Sequence, residues 1–232
     1  MEKAHDPLPE LIPNSIIEAV KLFSTAQLCD GMKDLGIERD GCMDADMMVV
    51  GDKSRLMIGT AYTVDTSNGN NFPVHIALYR SLPGFVLVVA GKNYKEKSYL
   101  GDLIGSTAQA IGLAGIVVDG LVRDKMGLGE LDIPVFSRGF IQRGPGKDRT
   151  GRIGVSVECA GVVVNPGDLI IGDNDGVTVI PRDFINEVLV SSEKKRAYER
   201  NRRTTIAEYM QKKQESKPLP NLVPAWVKEL QG

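Results

Sequence analysis

Residues 100–124 read LGDLIGSTAQAIGLAGIVVDGLVRD. Apolar residues recur at helical spacing from Leu103 to Leu113, with Asp102 placed as N-cap, and AGIVVDG then reads as a buried strand. A helix over 103–112 rises roughly 15 Å. A strand over 115–119 runs back roughly 16 Å. A helix and the strand after it lie antiparallel, so the helix start and the strand end share one edge of a sheet. Asp102 and the Arg123-Asp124 pair are expected to be neighbours at that edge, where open α/β sheets bind ligands.

The same alternation extends outward. GFVLVVAG (84–91) is a Val-rich run suited to a strand buried on both faces. PVHIALYRSLP (73–83) suggests a short helix closed by Pro83, RLMIGTAYTVD (55–65) a strand, and IPVFSRG (133–139) a further short strand. KNYKEKSY (92–99) reads as a polar break. Towards the N-terminus, Asn14 or Ser15 caps a first helix, and a second runs from about Ser24 to a C-cap at Gly36. From Val155 the texture changes to short β segments, VSVECAGVVV, NPGDLIIGDNDG and VTVIP, with NDG as a turn signal. A long polar helix starts at Asp183. The expected class is α/β, with central βαβ material flanked by an antiparallel β layer. Residues 1–14 form an arm, 15–205 the main domain, and 206–232 the end of the long helix and a tail.

Composition excludes several function classes. The chain has 232 residues and a net charge of −2, which argues against a broad electrostatic grip on nucleic acid or an acidic membrane. Its apolar runs are too short to span a bilayer, and the opening residues lack a basic-then-apolar leader pattern. Cys29, Cys42 and Cys159 show no CxxC spacing, so neither a disulfide framework nor a zinc site is expected. The reading is a cytoplasmic protein without nucleic-acid or membrane partners.

At the edge shared by Asp102 and Arg123-Asp124, three kinds of chemistry meet. The helix start at Gly101, Asp102, Leu103 and Ile104 presents unpaired N–H groups to a carboxylate or phosphate. Arg123 offers a forked cation for a developing oxyanion. Asp124 with Asp102 nearby suits a hard divalent cation, since magnesium uses one or two carboxylates and keeps several waters. On local chemistry alone, a helix cap and a turn ion pair are the simpler reading.

GDLIGSTAQAIGLAGIVVDGLVRD, IPVFSRG and NPGDLIIGDNDGVTVIP together resemble the RraA-like family, which includes the class II 4-hydroxy-4-methyl-2-oxoglutarate aldolases. The family's aldolase pattern, an Asp, twenty residues, then Arg-Asp, is matched by Asp102, Arg123 and Asp124. The resemblance covers roughly 15–205 and implies a swivelling layered α/β/α-type domain with a central sheet and a long C-terminal helix. It implies a homotrimer or dimer of trimers with sites between subunits. It also implies Mg2+ or Mn2+ on Asp124, with Asp102 holding the ion's water shell. The pyruvyl carboxylate would rest on amides around Leu103 and Ile104, with Arg123 on the keto oxygen. Glu193 or Glu199 of a neighbouring subunit could complete the site. The implied reaction is cleavage of 4-hydroxy-2-oxo acids to pyruvate, with oxaloacetate decarboxylation as a related step. The family's ribonuclease-regulator branch is the alternative, as is another oxo-acid enzyme on the same scaffold; the regulators typically lack the acid that Asp102 provides.

Other features take structural readings. His75 is a hydrogen-bonded structural histidine, QRGPGKDRTGR (142–152) a solvated loop that could reach a distal carboxylate or a subunit neighbour, and KKRAYERNRR a solvated or subunit-packing helix face. The asparagine-rich TSNGNNFP loop (66–73) is a place where a shared scaffold sets specificity.

Overall fold

A computed structural model describes residues 7–51 and 56–229; residues 1–6 of the expected arm and Arg55 of the expected first strand lie outside the described residues. Helix α1 (Asn14–Val20) follows Pro13, which occupies the N-cap without a side-chain bond, so neither Asn14 nor Ser15 caps it. Helix α2 (Thr25–Asp34) starts at Ser24 with a full capping box to Gln27, and Gly36 beyond its end takes a left-handed φ of 70°. A short strand β1 (Met48–Val49) precedes β2 (Met57–Asp65), α3 (Phe72–Arg80) and β3 (Phe85–Ser98). Then come α4 (Asp102–Ile111), β4 (Gly115–Val122), α5 (Lys125–Glu130) and β5 (Val135–Phe140). Short strands β6 (Arg152–Ile153), β7 (Val157–Cys159) and β8 (Val162–Val164) lead to β9 (Leu169–Asp173) and β10 (Gly176–Ile180). Helix α6 (Ile185–Gln214) and α7 (Ala225–Glu229) follow. The chain divides into a compact unit ending at Ser192 and a C-terminal unit from Glu193, so the long helix begins in one and continues in the other.

One sheet in the order β1-β5-β4-β3-β2-β9-β10 organises the compact unit, with β6 on β2. Strands β2, β3, β4 and β5 are parallel neighbours. The expected antiparallel layer is largely an extension of this sheet, because β9 pairs antiparallel with β2 and β10 with β9. Among the described residues, β7–β8 form a separate two-stranded sheet.

The Val-rich run explains the layering. Phe85, Leu87 and Val89 join a core with Val74, Leu78, Ile104, Ala108 and Leu128 of the crossover helices. Val86, Val88 and Ala90 face the opposite way, towards Val157, Cys159, Val162 and Val164. Alternate residues of one strand thus bury both faces of the sheet. Because α3, α4 and α5 connect parallel strands, the strand ends and helix starts collect at one edge.

Three local expectations change. Gly101, not Asp102, is the N-cap of α4; Asp102 is its first helical residue. KNYKEKSY does not end the strand, since β3 continues to Ser98 past Lys92 and Asn93, both at positive φ, and re-pairs through Tyr94 and Ser98 with β4. This bulge absorbs the polar residues without breaking the ladder. The segment after Arg123-Asp124 is a short helix rather than a turn. In addition, the sulfurs of Cys29 and Cys42 lie against each other across 13 positions, while Cys159 is buried apart from them. A contact between α2 and the turn after it has no signature in cysteine spacing.

Candidate active site

Helix α4 begins where Gly101 sits extended at φ −142° and ψ −164°. It ends at Gly112, left-handed at φ 91°, whose N–H reaches Ala108 O while Leu113 N–H also returns to that carbonyl. Strand β4 then carries the chain back to Arg123 and Asp124. Asp124 adopts φ 58° and ψ 49°, a left-handed conformation that aspartate tolerates better than most residues. Its carboxylate does not cap α5, though Asp124 stands at that N-cap.

These turns bring the predicted residues together. Asp102 N–H lies 3.4 Å from Asp124 Oδ2, and Arg123 Nε lies 3.4 Å from the same oxygen. The Arg123 approach lacks hydrogen-bond geometry, and Nε is buried without an acceptor. With side chains 42% and 41% exposed, the Arg123–Asp124 attraction is screened and worth about 0–1 kcal/mol. The backbone, rather than that ion pair, holds the constellation. The N–H groups of Leu103 and Ile104 stand in the first turn, where no helical carbonyl reaches them and no side chain caps them.

Glycines make the room. A Cβ on Gly101 would overlap Asp124 Oδ2 and lie 3.0 Å from Arg123 Cγ. A Cβ on Gly127 would come within 2.7 Å of Asp102 Cβ, and one on Gly144 within 3.2 Å of Arg123 Nη1. All three predicted side chains are therefore seated against a bare backbone.

A cleft of about 330 Å³ holds Gly101, Asp102, Leu103, Ile104, Arg123 and Asp124 on one side. Asn71, His75 and Lys147 line the same cleft. His75 is thus a cleft residue, and burial together with the nearby Lys147 charge holds its pKa below the ordinary histidine value. The 142–152 loop is not merely solvated. Gly146 N–H donates to Gly69 O at 2.8 Å, Asn71 N–H to Gly146 O at 3.0 Å, and Ser98 N–H to Arg143 O at 2.9 Å. Asn70 Nδ2 also donates to Thr150 Oγ1 at 3.1 Å. Beneath them Tyr99 OH donates to Gly91 O at 2.7 Å and accepts from Gly69 N–H at 3.3 Å. Burial pushes that phenol up to about 12. The asparagine-rich loop signalled this wall in the sequence, but nothing there signalled that it meets residues 142–152.

Asp102 and Asp124 offer hard oxygen donors. Among the described residues no group of three or more His, Cys, Asp or Glu is placed to hold a metal. A two-carboxylate set still fits magnesium or manganese, which retain waters, and suits zinc poorly. Glu193 and Glu199 pair with Arg196 and Arg203 on their own helix, at 2.7 and 3.9 Å.

A separate charged centre surrounds Arg138. Arg138, its side chain 6% exposed, donates to Asp119, Asp44 and Asp46. Asp119 also accepts from Asn93 N–H and Ala160 N–H. Burial disfavours the Arg138 charge, but the three carboxylates outweigh it and raise its pKa. No described helix is long and apolar enough to cross a membrane.

The RraA-like family profile, described as Aldolase/RraA, matches residues 25–179. A protein of Halalkalibacterium halodurans named as a candidate 4-hydroxy-4-methyl-2-oxoglutarate aldolase is 39% identical over 66% of this chain and 72% of its own length. An uncharacterized protein of Methanocaldococcus jannaschii is 30% identical over 86% of this chain and 92% of its own. Among solved structures, Streptomyces coelicolor RraAS2, described as an unusual member of the RNase ES inhibitor RraA family, superposes with a TM-score of 0.72 at 26% identity. That match covers 84% of this chain and 98% of the other.

Proposed function

We propose that this chain, which belongs to the RraA-like family, is a divalent-metal-dependent carbon–carbon lyase that releases pyruvate from 4-hydroxy-2-oxo acids. The observation that carries this reading is the convergence of Asp102, Arg123 and Asp124 on one cleft at a helix start. The name of the Halalkalibacterium relative supports the reaction class.

In this reading the substrate carboxylate rests on the free N–H groups of Leu103 and Ile104, where the helix dipole favours an anion. The keto oxygen lies towards Arg123, whose buried Nε lacks an acceptor among the described residues. A water poised by Asp102 takes the proton from the C4 hydroxyl. The C4–O bond becomes a carbonyl, the C3–C4 bond breaks, and its electron pair enters the enolate beside Arg123. A proton delivered to C3 gives pyruvate, and the carbonyl fragment leaves. Asp124 would hold Mg2+ or Mn2+ with Asp102 on the ion's water shell, and such an ion supplies Lewis-acid polarisation of the keto group. Oxaloacetate would lose its distal carboxylate into the same electron sink.

A homotrimer or dimer of trimers belongs to the same proposal. Leu103, 78% exposed at the cleft, and Met126, 87% exposed on α5, are apolar surface that a second copy would cover. The test is a pyruvate-release panel with added Mg2+ or Mn2+, with and without chelator. Release from none of several 4-hydroxy-2-oxo acids or oxaloacetate would overturn the reading. The likeness to RraAS2 favours a second reading, a non-catalytic ribonuclease regulator. Inhibition of a ribonuclease by a chain that releases no pyruvate would establish it.

A further inference from the structure

Asn71, which lines the same cleft as Arg123, is 3% exposed, and its amide Oδ1 is buried with no hydrogen-bond partner among the described residues. The local sequence explains why. Asn71 is the N-cap of α3, where an asparagine oxygen ordinarily accepts from the second or third helical N–H. In Asn71-Phe72-Pro73 the second helical residue is proline and has no N–H. Asn70 Oδ1 already accepts from Phe72 N–H at 3.1 Å. Asn71 makes no side-chain cap bond to the remaining candidate, Val74 N–H, either. Its backbone is fixed meanwhile by the bond to Gly146 O, and Asn71 O accepts from His75 N–H at 3.1 Å. A buried acceptor left unpaired is costly, so an O–H or N–H donor that reaches it from the cleft would be held there.

The pyruvyl half of a 4-hydroxy-2-oxo acid has only acceptors at its carboxylate and keto group, and those are matched by Arg123 and the α4 amides. The donor that Asn71 awaits belongs to the proton path. We propose that Asn71 Oδ1 and the Asp102 carboxylate together hold the water that takes the C4 hydroxyl proton. This assignment rests on the lyase reading. A water donating its two hydrogens to Asn71 and Asp102 presents its lone pair to the substrate. The proton leaves the C4 oxygen for that water and passes on to the Asp102 carboxylate, as the C3–C4 pair enters the enolate. The same proton returns through the water to C3, so the site ends as it began. Asn71 is then a positioning residue for proton removal, not a binder of substrate.

The consequence separates two reactions at one site. Cleavage of a 4-hydroxy-2-oxo acid needs a proton removed, whereas decarboxylation of oxaloacetate does not. Asn71→Ala should lower kcat for cleavage by about 10–100-fold, the usual effect of losing one supporting hydrogen bond. KM should stay within about twofold, and the ratio of cleavage to decarboxylation should fall at least tenfold. Asn71→Ser, smaller and still polar, is assayed alongside, and each variant's decarboxylation rate reports whether its fold and site are intact. A proportional fall in both reactions, a raised KM with kcat held, or an unchanged ratio in both variants would overturn the assignment. Absence of both reactions from the wild-type protein would instead remove the lyase reading, and this assignment with it.

Discussion

Replacing Gly101 with alanine separates the site from the fold. At φ −142° and ψ −164° the position is extended backbone that alanine adopts freely, so the start of α4 is not strained. The added methyl instead falls on Asp124 Oδ2 and lies 3.2 Å from Arg123 Nε. The carboxylate must retreat by on the order of 1 Å before carbon and oxygen clear each other. Asp124 is 41% exposed and can swing towards solvent. Stability should therefore change by less than about 1 kcal/mol, partly offset by lower entropy in the unfolded chain. Function should suffer far more, since a 1 Å misplacement of a reacting group can cost about 10²-fold. The assay is pyruvate release from a 4-hydroxy-2-oxo acid with saturating Mg2+, read beside a thermal melt. Gly36→Ala is the matched control. It has open space around it but a left-handed φ of 70°, so it should cost about 1–2 kcal/mol of stability and leave the rate unchanged. A Gly101→Ala protein with full activity and an unchanged melt would refute the placement of Asp124 in the site.

Three further outcomes follow from the same geometry. Asp124→Asn keeps a side chain that tolerates the left-handed backbone but weakens the metal ligand; pyruvate release should fall at least about 10²-fold with melting little changed, and calorimetric Mg2+ titration should lose its binding heat. Arg138→Met leaves Asp119 buried without its cation and should cost about 3–5 kcal/mol in a urea melt. His75 has a pKa lowered by burial and Lys147, so its contribution to stability is complete above the ordinary value of 6.5 and declines as pH falls towards the folded value. The wild-type melting temperature should drop more than that of His75→Gln between pH 7.5 and 5.5, and equal drops would remove His75 from this role.

The sequence by itself determined the fold class and one wall of the site. The Val-rich run at 84–91 could be buried on both faces only as an inner strand. The 100–124 segment places Asp102 beside Arg123-Asp124 because a helix and its following strand are antiparallel. Those inferences need only periodicity and chain geometry, which are local. Other features depended on contacts far apart in the chain. Whether Lys92 to Ser98 ends a strand or bulges along one is decided by the pairing of Tyr94 and Ser98 with β4. The Cys29–Cys42 contact depends on where α2 meets the turn after it. His75 reads as structural until the fold opens a cleft beside it. The second wall is the clearest case. Asn71 and Lys147 are 76 positions apart and line one cleft because Gly146 hydrogen-bonds through its backbone to Gly69 and Asn71. Local chemistry could give Asn71 a helix cap. Only the tertiary structure left its amide oxygen buried and unpaired, in a residue that lines one cleft with the acids.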